Sequence, residues 1–577
     1  MRLQTQTDVW TKGYWILGLV ILAAGLFATI HKETDATPMA DASDKKPQLA
    51  VTSITMEQRL FWIFLAFVPS SLMLGVTSHM ANNIASAPFL WIIPLALYLL
   101  TFIIVFAKKP MVTSNGLGRL FPWVILVAVT AGLALKNFVL ISIGLSLVCY
   151  FIITLLCHGR LAEMRPDARN LTEFYIWMSF GGVLGGVFNA LIAPGIFSNV
   201  YEYLIVLLIA QMAVPFKTKT VPQEIKFKLS LAKYALAGLV VFLGLKLLGL
   251  GFVIPAIAGG SLFLFGLSHM RDQKKTLPFD IGVLATCVIG MSVLQTKPIL
   301  MDRSFFGVLH VEETQSDFGV VHRFIHGDTV HNYQFRDPKL RKVPLAYYAA
   351  GNSFDLAMQA ARKNNSALNV SMVGLGAGAM ACYEQPGDNW TYYEIDPAVV
   401  KMALNPKYFS YMSDCANSPD IRIGDARIAL EDTAPKSQDI IIVDAFSSDS
   451  IPTHLLTKEA MALYQSKLKD NGLVFFHTSN RVMDISSVAV RLADDAGLDS
   501  RYVAKLDFSE QAYREFYTPS LGVLVGNKDR LEVATQDESA WRVLIPSPSV
   551  KVWSDDYSSV LGPIKSHYIR DSKVQKP

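Results

Sequence analysis

Charged residues are scarce in this 577-residue chain: Asp, Glu, Lys and Arg make up 17% of the sequence, and hydrophobic residues make up 51%. A soluble protein carries about a quarter charged residues. The deficit lies before about residue 295, where long apolar runs alternate with short loops, and charge reaches ordinary density after Arg303. This division argues against a single soluble globule and predicts a membrane half followed by a soluble half.

Cysteine is also scarce, with five residues in the chain and neither a Cys-x-x-Cys pair nor a histidine cluster at metal-ligand spacing. Cys149, Cys157 and Cys287 lie in apolar runs, and Cys382 and Cys415 stand apart in the soluble half. This pattern argues against a disulfide framework and a structural zinc site, so we expect no metal. Unpaired Cys382 and Cys415 would suit a reducing compartment.

A strong excess of positive charge is absent too, since the formal net charge is +4. Nucleic acid is therefore not an expected partner. The basic residues concentrate instead in alternate loops between apolar runs, and basic loops mark the cytoplasmic side of a membrane. The loops around 78–88 and 194–199 carry almost none, whereas the basic loops lie around 108–119, 160–169, 217–228 and 271–275.

The apolar runs are long enough to cross a bilayer, which takes about 20 mostly apolar residues. Candidate spans lie near residues 14–30, 59–77, 89–107, 120–135, 138–157, 173–193, 200–215, 231–248, 252–268 and 279–296. The first lacks a small-residue cleavage site, so we interpret it as a retained anchor rather than a signal peptide. We predict an N-terminal anchor helix and polar linker at 1–58 and a polytopic α-helical membrane domain at 59–300, in a bacterial-type inner membrane. Within it, the glycines of 181–186 predict close helix packing.

Two arguments about the side of the soluble half conflict. The basic loop at 271–275 belongs in the cytoplasm, so a full crossing by 279–296 would place the soluble half outside. If 279–296 is re-entrant or lies at the interface, the soluble half stays in the cytoplasm. Because this segment has only about 18 residues, the lower limit for a span, and because the cysteines lack partners, we expect the cytoplasmic side.

The soluble half begins with short strand-like segments. Alternating residues between 305 and 335, separated by turn formers, predict a small antiparallel β-domain at 304–340. Helix-like and strand-like segments then alternate, which is typical of a parallel sheet with crossover helices. We therefore predict an α/β Rossmann-like domain of methyltransferase type at 341–577.

A glycine-rich turn follows the first apolar strand of this domain, with Gly374, Gly376 and Gly378 in the sequence Gly-Leu-Gly-Ala-Gly. Glycines there allow a ligand to approach the backbone, and a following helix offers free N–H groups. The next strand ends in Glu394 and Asp396, about 20 residues later, where a carboxylate can accept hydrogen bonds from ribose hydroxyls.

Two further strands also end in acids, at Asp425-Ala426 and at Asp444. Each acid alone could be a helix cap or a solvated loop residue. Because ligands of open α/β sheets bind outside the carboxyl ends of the strands, four such ends in register favour one nucleoside-binding crevice.

In order and spacing, these four motifs resemble the spermidine synthase (aminopropyltransferase) family over about residues 304–525. The leading β-domain and the membrane half are similar to those of membrane-fused members. The resemblance implies that S-adenosylmethionine or its decarboxylated form is the substrate, with no further cofactor and no metal. A polyamine would be the acceptor, and a homo-oligomer would be the assembly.

The resemblance also implies roles for individual residues. Glu394 would hold the ribose hydroxyls, and Asp425 with Ala426 would contact the adenine. Gln334 would lie near the sulfonium side chain, and Asp444 would deprotonate an attacking amine.

This sequence departs from the family around the acceptor. After Asp444, the second carboxylate of the family's Asp-Ser-Ser-Asp-Pro loop is missing, and Asp449 could replace it. The family's Tyr-His/Gln-Glu stretch is represented by Tyr347-Tyr348-Ala349, which leaves Tyr348 as a candidate for the acceptor site. The histidines His326, His331, His454 and His477 are weaker candidates for a metal or pocket role.

Three functions therefore stay open. The first is a transferase that passes an aminopropyl group to an amine and releases methylthioadenosine. The second is a lyase in which the carboxylate of S-adenosylmethionine attacks its own γ-carbon. The third is a membrane transporter or sensor whose soluble domain only binds the nucleoside.

Overall fold

A computed structural model describes most of the soluble half and part of the membrane half. The described residues are 11–20, 22, 23, 26, 54–83, 91–107, 112–118, 120, 121, 123, 124, 139–215, 298–327, 329–363, 365–446, 452–505, 513–536 and 540–574. The predicted spans near 231–248, 252–268 and 279–296 lie outside them. The chain divides into two units, Met1–Ile54 and Thr55–Pro577, and the elements below belong to the second.

Five helices of ten or more residues are described between residues 55 and 215. They are α1 (Met56–Asn83), α2 (Ile92–Val105), α3 (Val139–Glu163), α4 (Leu171–Val187) and α5 (Tyr201–Ala210). A π-helical turn (Phe188–Ile192) and a short helix (Ala193–Ile196) continue α4. By length and composition, Met56–Ala81, Leu140–Glu163 and Ala168–Ile196 can each cross a membrane, and Ile92–Val105 is a shorter apolar helix.

Helices α1 and α4 pack tightly in parallel. A Cβ on Gly181 would collide with the backbone of Ile63, and one on Gly185 would come within 2.9 Å of Ser70. Ser70 Oγ also donates a hydrogen bond to the carbonyl oxygen of Gly182 at 2.8 Å. These contacts confirm the close packing that the glycines predicted, because only a residue without a side chain lets the two backbones approach this far.

The β-domain is an antiparallel sheet in the order β1-β2-β3-β4. Its strands are β1 (Leu300–Ser304), β2 (Gly307–Ser316), β3 (Gly319–His326) and β4 (Thr329–Phe335). The predicted antiparallel sheet is confirmed, and it gains β1, which pairs with β2 from Leu300↔Val311 onward.

The second sheet has eight strands in the order β12-β10-β11-β9-β8-β5-β6-β7. The strands are β5 (Asn369–Val373), β6 (Asn389–Glu394), β7 (Asp420–Ile423), β8 (Gln438–Val443), β9 (Leu468–His477), β10 (Asp499–Lys505), β11 (Ser520–Gly526) and β12 (Trp541–Arg542). Strands β5 to β9 are parallel, as predicted. Strands β10, β11 and β12 join antiparallel, which corrects the expectation of a wholly parallel sheet.

Helices cover this sheet. They are α6 (Ser353–Arg362), α7 (Pro397–Ala403), α8 (Tyr411–Cys415), α9 (Ala426–Glu431), α10 (Lys458–Lys467), α11 (Ile485–Asp495), α12 (Lys528–Thr535) and α13 (Leu561–Val574). The central strands are buried, and Ile440, Ile441 and Ile442 are wholly inaccessible. A strand covered on both faces takes an unbroken apolar run of this kind, and such a run does not alternate.

Cys382 and Cys415 form a disulfide, with their α-carbons 4.8 Å apart. The expectation that they stay unpaired was wrong. The short 3₁₀ helix Ala379–Tyr383 packs against α8, and this packing brings together cysteines separated by 33 positions. Pairing at that distance leaves no local signal in the sequence.

Candidate active site

The glycine turn and the three acidic strand ends lie at one edge of the sheet. Strands β8, β5, β6 and β7 are parallel neighbours in that order, so their carboxyl ends are adjacent. Gly374, Glu394 and Asp444 follow or close three of these strands, and Asp425 comes two residues after β7. The edge therefore carries a glycine turn flanked by carboxylates.

The turn after β5 depends on its glycines. Gly374, Gly376 and Gly378 have φ angles of +100°, +55° and +83°, in the region that L side chains rarely adopt. A Cβ on Gly378 would press on Met412 at 2.6 Å. Side chains at these positions would be strained as well as crowded, which leaves the backbone of the turn open to a ligand.

Glu394 is buried against this turn. Its Oε2 accepts a hydrogen bond from the backbone N–H of Leu375 at 3.0 Å, and its Oε1 accepts one from Asp396 at 3.0 Å. Burial raises the pKa of the Glu394 carboxyl above its ordinary value, and the backbone hydrogen bonds oppose that shift. Each carboxylate oxygen keeps a second lone pair for a further donor.

Asp396 and Asp425 both cap helices. Asp396 Oδ1 accepts from the N–H of Ala398 at 2.9 Å, and its Oδ2 accepts from Ser304 Oγ at 2.6 Å. Asp425 Oδ1 accepts from the N–H of Arg427 at 2.8 Å, at the start of α9, where Ala426 is buried. These bonds add a structural task to both predicted ligand-binding acids.

The other oxygen of Asp425 faces His454 Nε2 at 3.1 Å. Burial raises the pKa of the Asp425 carboxyl, but the hydrogen bond and charge of His454, together with the N–H groups of Arg427 and Ile428, outweigh it and hold the pKa below its ordinary range. Asp425 therefore favours the ionised form that would accept a hydrogen bond from a ligand.

Gln334 is wholly buried between the two sheets. Its Nε2 donates to the carbonyl oxygen of Arg341 at 2.9 Å and to Ser410 Oγ at 3.1 Å, and its Oε1 accepts from the N–H of Ser410 at 2.9 Å. These protein partners occupy both ends of the amide, so the structure gives Gln334 a joining role. The predicted contact with a sulfonium side chain stays a prediction.

Asp444 is held from two sides. Tyr348 donates its hydroxyl to Asp444 Oδ2 at 2.6 Å, and His477 Nδ1 lies 2.6 Å from Asp444 Oδ1. Asp444 and His477 are 8% and 5% exposed. Burial, and then the charge of Asp444, raises the pKa of Tyr348 well above its usual range, so this phenol stays a donor.

Aromatic rings surround this group. The His477 ring lies 4.7 Å from the ring of Tyr347, and 5.1 Å from the rings of both Phe354 and Phe446. Burial and the charge of Asp444 also raise the pKa of Tyr347 well above its ordinary value. The described surroundings of Asp444 are thus aromatic. A site that binds both ammonium groups of a diamine would need further carboxylates.

His477 is the residue that the sequence undervalued. It closes β9, the strand beside β8, so its position in the strand order was the available signal. Asp449 lies outside the described residues. Within the described part of the chain, no group of three or more His, Cys, Asp or Glu side chains is arranged to hold a metal ion. His326 and His331 have ring centres 6.0 Å apart.

Part of this chain is similar to known proteins. No family model matches it. A polyamine aminopropyltransferase of Vibrio vulnificus (strain CMCP6) is 24% identical over 217 residues, covering 36% of this chain and 69% of that protein. A probable spermidine synthase of Corynebacterium glutamicum matches with TM-score 0.33 and 16% identity, covering 46% of this chain and 99% of that one.

Spermidine synthase of Thermotoga maritima matches with TM-score 0.30 and 16% identity, covering 45% of this chain and 83% of that one. Sequence similarity thus relates 36% of the chain to a polyamine aminopropyltransferase.

Proposed function

We propose that the soluble half is an aminopropyltransferase-like enzyme that cleaves the sulfonium–γ-carbon bond of S-adenosylmethionine or its decarboxylated form. The observation that supports this most is the meeting of the glycine turn, Glu394, Asp425 and Asp444 along four adjacent strand ends. The similarity to a polyamine aminopropyltransferase supports the same class of reaction.

The reaction needs little from the protein beyond placement and a proton acceptor. An amine nitrogen attacks the γ-carbon while the carbon–sulfur bond breaks and its electron pair returns to sulfur. Neutral methylthioadenosine leaves, and the attacking nitrogen gives up a proton. Alignment of the amine and exclusion of water supply most of the acceleration, and the hydrogen-bonded pair of Asp444 and His477 takes up the proton.

The aromatic surroundings of Asp444 support a second candidate reaction. Tyr347, Phe354 and Phe446 offer no carboxylate to hold a second ammonium group of a polyamine. In a lyase, the α-carboxylate of S-adenosylmethionine attacks the γ-carbon, so an acceptor site is not needed. That reaction also releases methylthioadenosine but transfers nothing to an amine.

We propose further that the helices before residue 300 hold the enzyme in a bacterial-type inner membrane as a polytopic protein. Three described helices are long and apolar enough to cross a bilayer. The domain boundaries stay predictions, at residues 1–58, 59–300, 304–340 and 341–577. The homo-oligomer also stays a prediction. The disulfide removes the cysteine argument for the cytoplasmic side.

Product analysis separates the candidates. The full-length protein, purified in detergent, is incubated with S-adenosylmethionine and then with its decarboxylated form, each with and without putrescine. We expect methylthioadenosine together with an aminopropylated amine. Methylthioadenosine without amine dependence would select the lyase, and the absence of turnover with binding intact would select the transporter or sensor.

A further inference from the structure

We infer that His477 is the proton acceptor of the site and that Asp444 is the residue that positions it. The inference rests on the proposed function, because it assigns a proton that this reaction releases. Three side chains form one hydrogen-bonded row: Asp444 Oδ1 to His477 Nδ1 at 2.6 Å, and His477 Nε2 to Ser479 Oγ at 2.9 Å.

The hydrogen bonds fix the tautomer of the imidazole. A carboxylate can only accept, so His477 Nδ1 carries the hydrogen and donates it to Asp444. His477 Nε2 then presents a lone pair toward Ser479. Ser479 Oγ already accepts the backbone N–H of Leu521 at 2.8 Å, which leaves its own hydrogen to be donated to Nε2.

Burial makes Asp444 a less accessible proton acceptor than the other end of this row. Its two oxygens accept from Tyr348 and His477, and both donors are buried. Ser479 is only partly buried. In a hydrogen-bonded row of carboxylate, imidazole and hydroxyl, the hydroxyl can pass its proton to the imidazole. The carboxylate stabilises the imidazolium that forms. The proton therefore passes from the attacking nitrogen through the Ser479 hydroxyl to His477 Nε2.

The groups that face the His477 ring are Asp444, Ser479 and Tyr347, with the apolar rings of Phe354 and Phe446. Tyr348 acts on it only through Asp444. Among the residues that the structure describes, Asp444 is thus the one acidic group in contact with the ring.

The test compares His477→Gln with the full-length wild type across pH, measuring kcat from methylthioadenosine release. Wild-type kcat should fall at low pH as His477 takes up a proton. His477→Gln should lose about 10²–10⁴ in kcat and lose that acid limb, while Ser479→Ala should lose less and keep it. His567→Gln, on α13, is the matched histidine control and should behave as the wild type. An unchanged kcat and acid limb in His477→Gln would overturn the inference.

A second readout does not depend on turnover. Nitrogen NMR of imidazole-labelled protein, with His477 assigned by its loss in His477→Gln, should show the Nδ1–H tautomer. Asp444→Asn should weaken that preference. The Nε2–H tautomer in the wild type would refute the row even if the reaction proved to be another. An inactive wild type with the Nδ1–H tautomer would refute the proposed function alone.

A separate set of observations carries a second inference: we infer that the soluble half lies outside the cytoplasm. Helices α1 and α4 are parallel, and near their starts Arg59 Nε lies 2.6 Å from Glu173 Oε1. The link from α3 to α4 carries Arg165 and Arg169, so the starts of both helices belong on the cytoplasmic side.

The opposite ends of these helices therefore lie outside. The links at 84–91 and 197–200, which follow α1 and the extension of α4, contain no Lys or Arg. Lys136, before α3, is one basic residue that departs from this pattern.

The soluble half is tied to this same end. Arg303, in β1, forms a two-point ion pair with Glu202 in the first turn of α5, at 2.7 and 3.1 Å. Arg303 also donates to the carbonyl oxygen of Asn199 at 3.2 Å. Glu202 is 3% exposed, so this buried ion pair holds β1 against the start of α5. Strand β1 thus begins beside the link that lacks basic residues.

The disulfide Cys382–Cys415 supports the same side independently, since disulfides persist in oxidising compartments such as the bacterial periplasm. This inference reverses the cytoplasmic side expected from the sequence. The chemistry of the site is unchanged, but its nucleoside substrate must then be met outside the cytoplasm.

The test labels single introduced cysteines in spheroplasts with a membrane-impermeant maleimide. Phe305→Cys replaces a side chain that is 96% exposed beside β1, and it should be labelled in intact spheroplasts. Arg165→Cys, in the basic link, should be labelled only after the membrane is opened, and the unmodified chain gives the background. The reverse pattern would overturn the inference whatever reaction the enzyme performs.

Discussion

Gly374 lies directly against the backbone of Asp444, at the ends of two neighbouring parallel strands. A Cβ on Gly374 would come within 2.9 Å of the carbonyl carbon of Asp444. Gly374 also has a φ of +100°. The close approach and the positive φ both require glycine. The position of the turn and the position of the strand that carries Asp444 therefore depend on each other.

Gly374→Ala should therefore lower stability by at least about 2 kcal/mol, because it combines backbone strain with a backbone collision. Thermal unfolding of the full-length protein measures the loss. Gly497→Ala is the matched control, with φ of +68° and no atom within 4 Å of the added Cβ. It should lose about 1 kcal/mol, from strain alone. Equal losses in both variants would contradict the close approach.

Replacing Glu394 by Ala should weaken the binding of methylthioadenosine by about 2–4 kcal/mol, because two charge-assisted hydrogen bonds to ribose are lost. Calorimetry measures the change. Asp432→Ala, an exposed acid after α9, should bind as the wild type does. Unchanged affinity in Glu394→Ala would remove this residue from the ribose site.

Glu394 also predicts a pH dependence. Burial raises the pKa of its carboxyl above 4.5, and only the ionised form can accept both ribose hydroxyls. Affinity for methylthioadenosine should therefore fall with decreasing pH from a point above pH 4.5. The effect on folding stability has the opposite pH dependence to the effect on affinity. A carboxyl whose pKa is raised in the folded state stabilises the fold at low pH, and this contribution is lost as pH rises through that pKa. Calorimetry from acidic to neutral pH should show the loss in the wild type and a flat profile in Glu394→Ala.

Asp444→Asn keeps the shape of the side chain but removes the negative charge that His477 Nδ1 contacts. Turnover with an amine acceptor should fall by about 10²–10⁴ while nucleoside affinity stays the same. For a lyase reaction the loss should be much smaller, because no amine proton is removed. Full activity with an amine would show that Asp444 takes no part in the proton transfer.

The disulfide should stabilise the glycine turn. Cys382 lies in the helix after that turn, and Cys415 lies 33 positions later at the end of α8. Closing a loop of this length is worth about 3.7 kcal/mol. Dithiothreitol should lower the unfolding temperature of the wild type but leave that of Cys382→Ala/Cys415→Ala unchanged. An equal effect of reductant on both would place the sensitive group elsewhere.

The features that the sequence predicted correctly are those marked by residues close together along the chain. Glycines, acids and apolar runs that follow each other along the chain located strands β5 to β8 and their shared edge. Contacts between distant positions escaped it: Tyr348 lies 96 positions from Asp444, and His477 lies 33 positions from it. The antiparallel insertion of β11 between β9 and β10 escaped for the same reason, since strand direction follows from long-range pairing.

The hydrogen bonds between the β-domain and the larger domain determine where the chain can be shortened. Ser304 and Gln334 of the β-domain bond to Asp396 and Ser410 of the larger domain. A shortened chain that starts at residue 341 would leave the buried N–H of Ser410 without its acceptor, at about 1–3 kcal/mol. It would also expose apolar surface such as Phe324, which belongs to the core shared with the larger domain. A separately expressed soluble half should therefore begin at about Leu300, so that both sheets stay together.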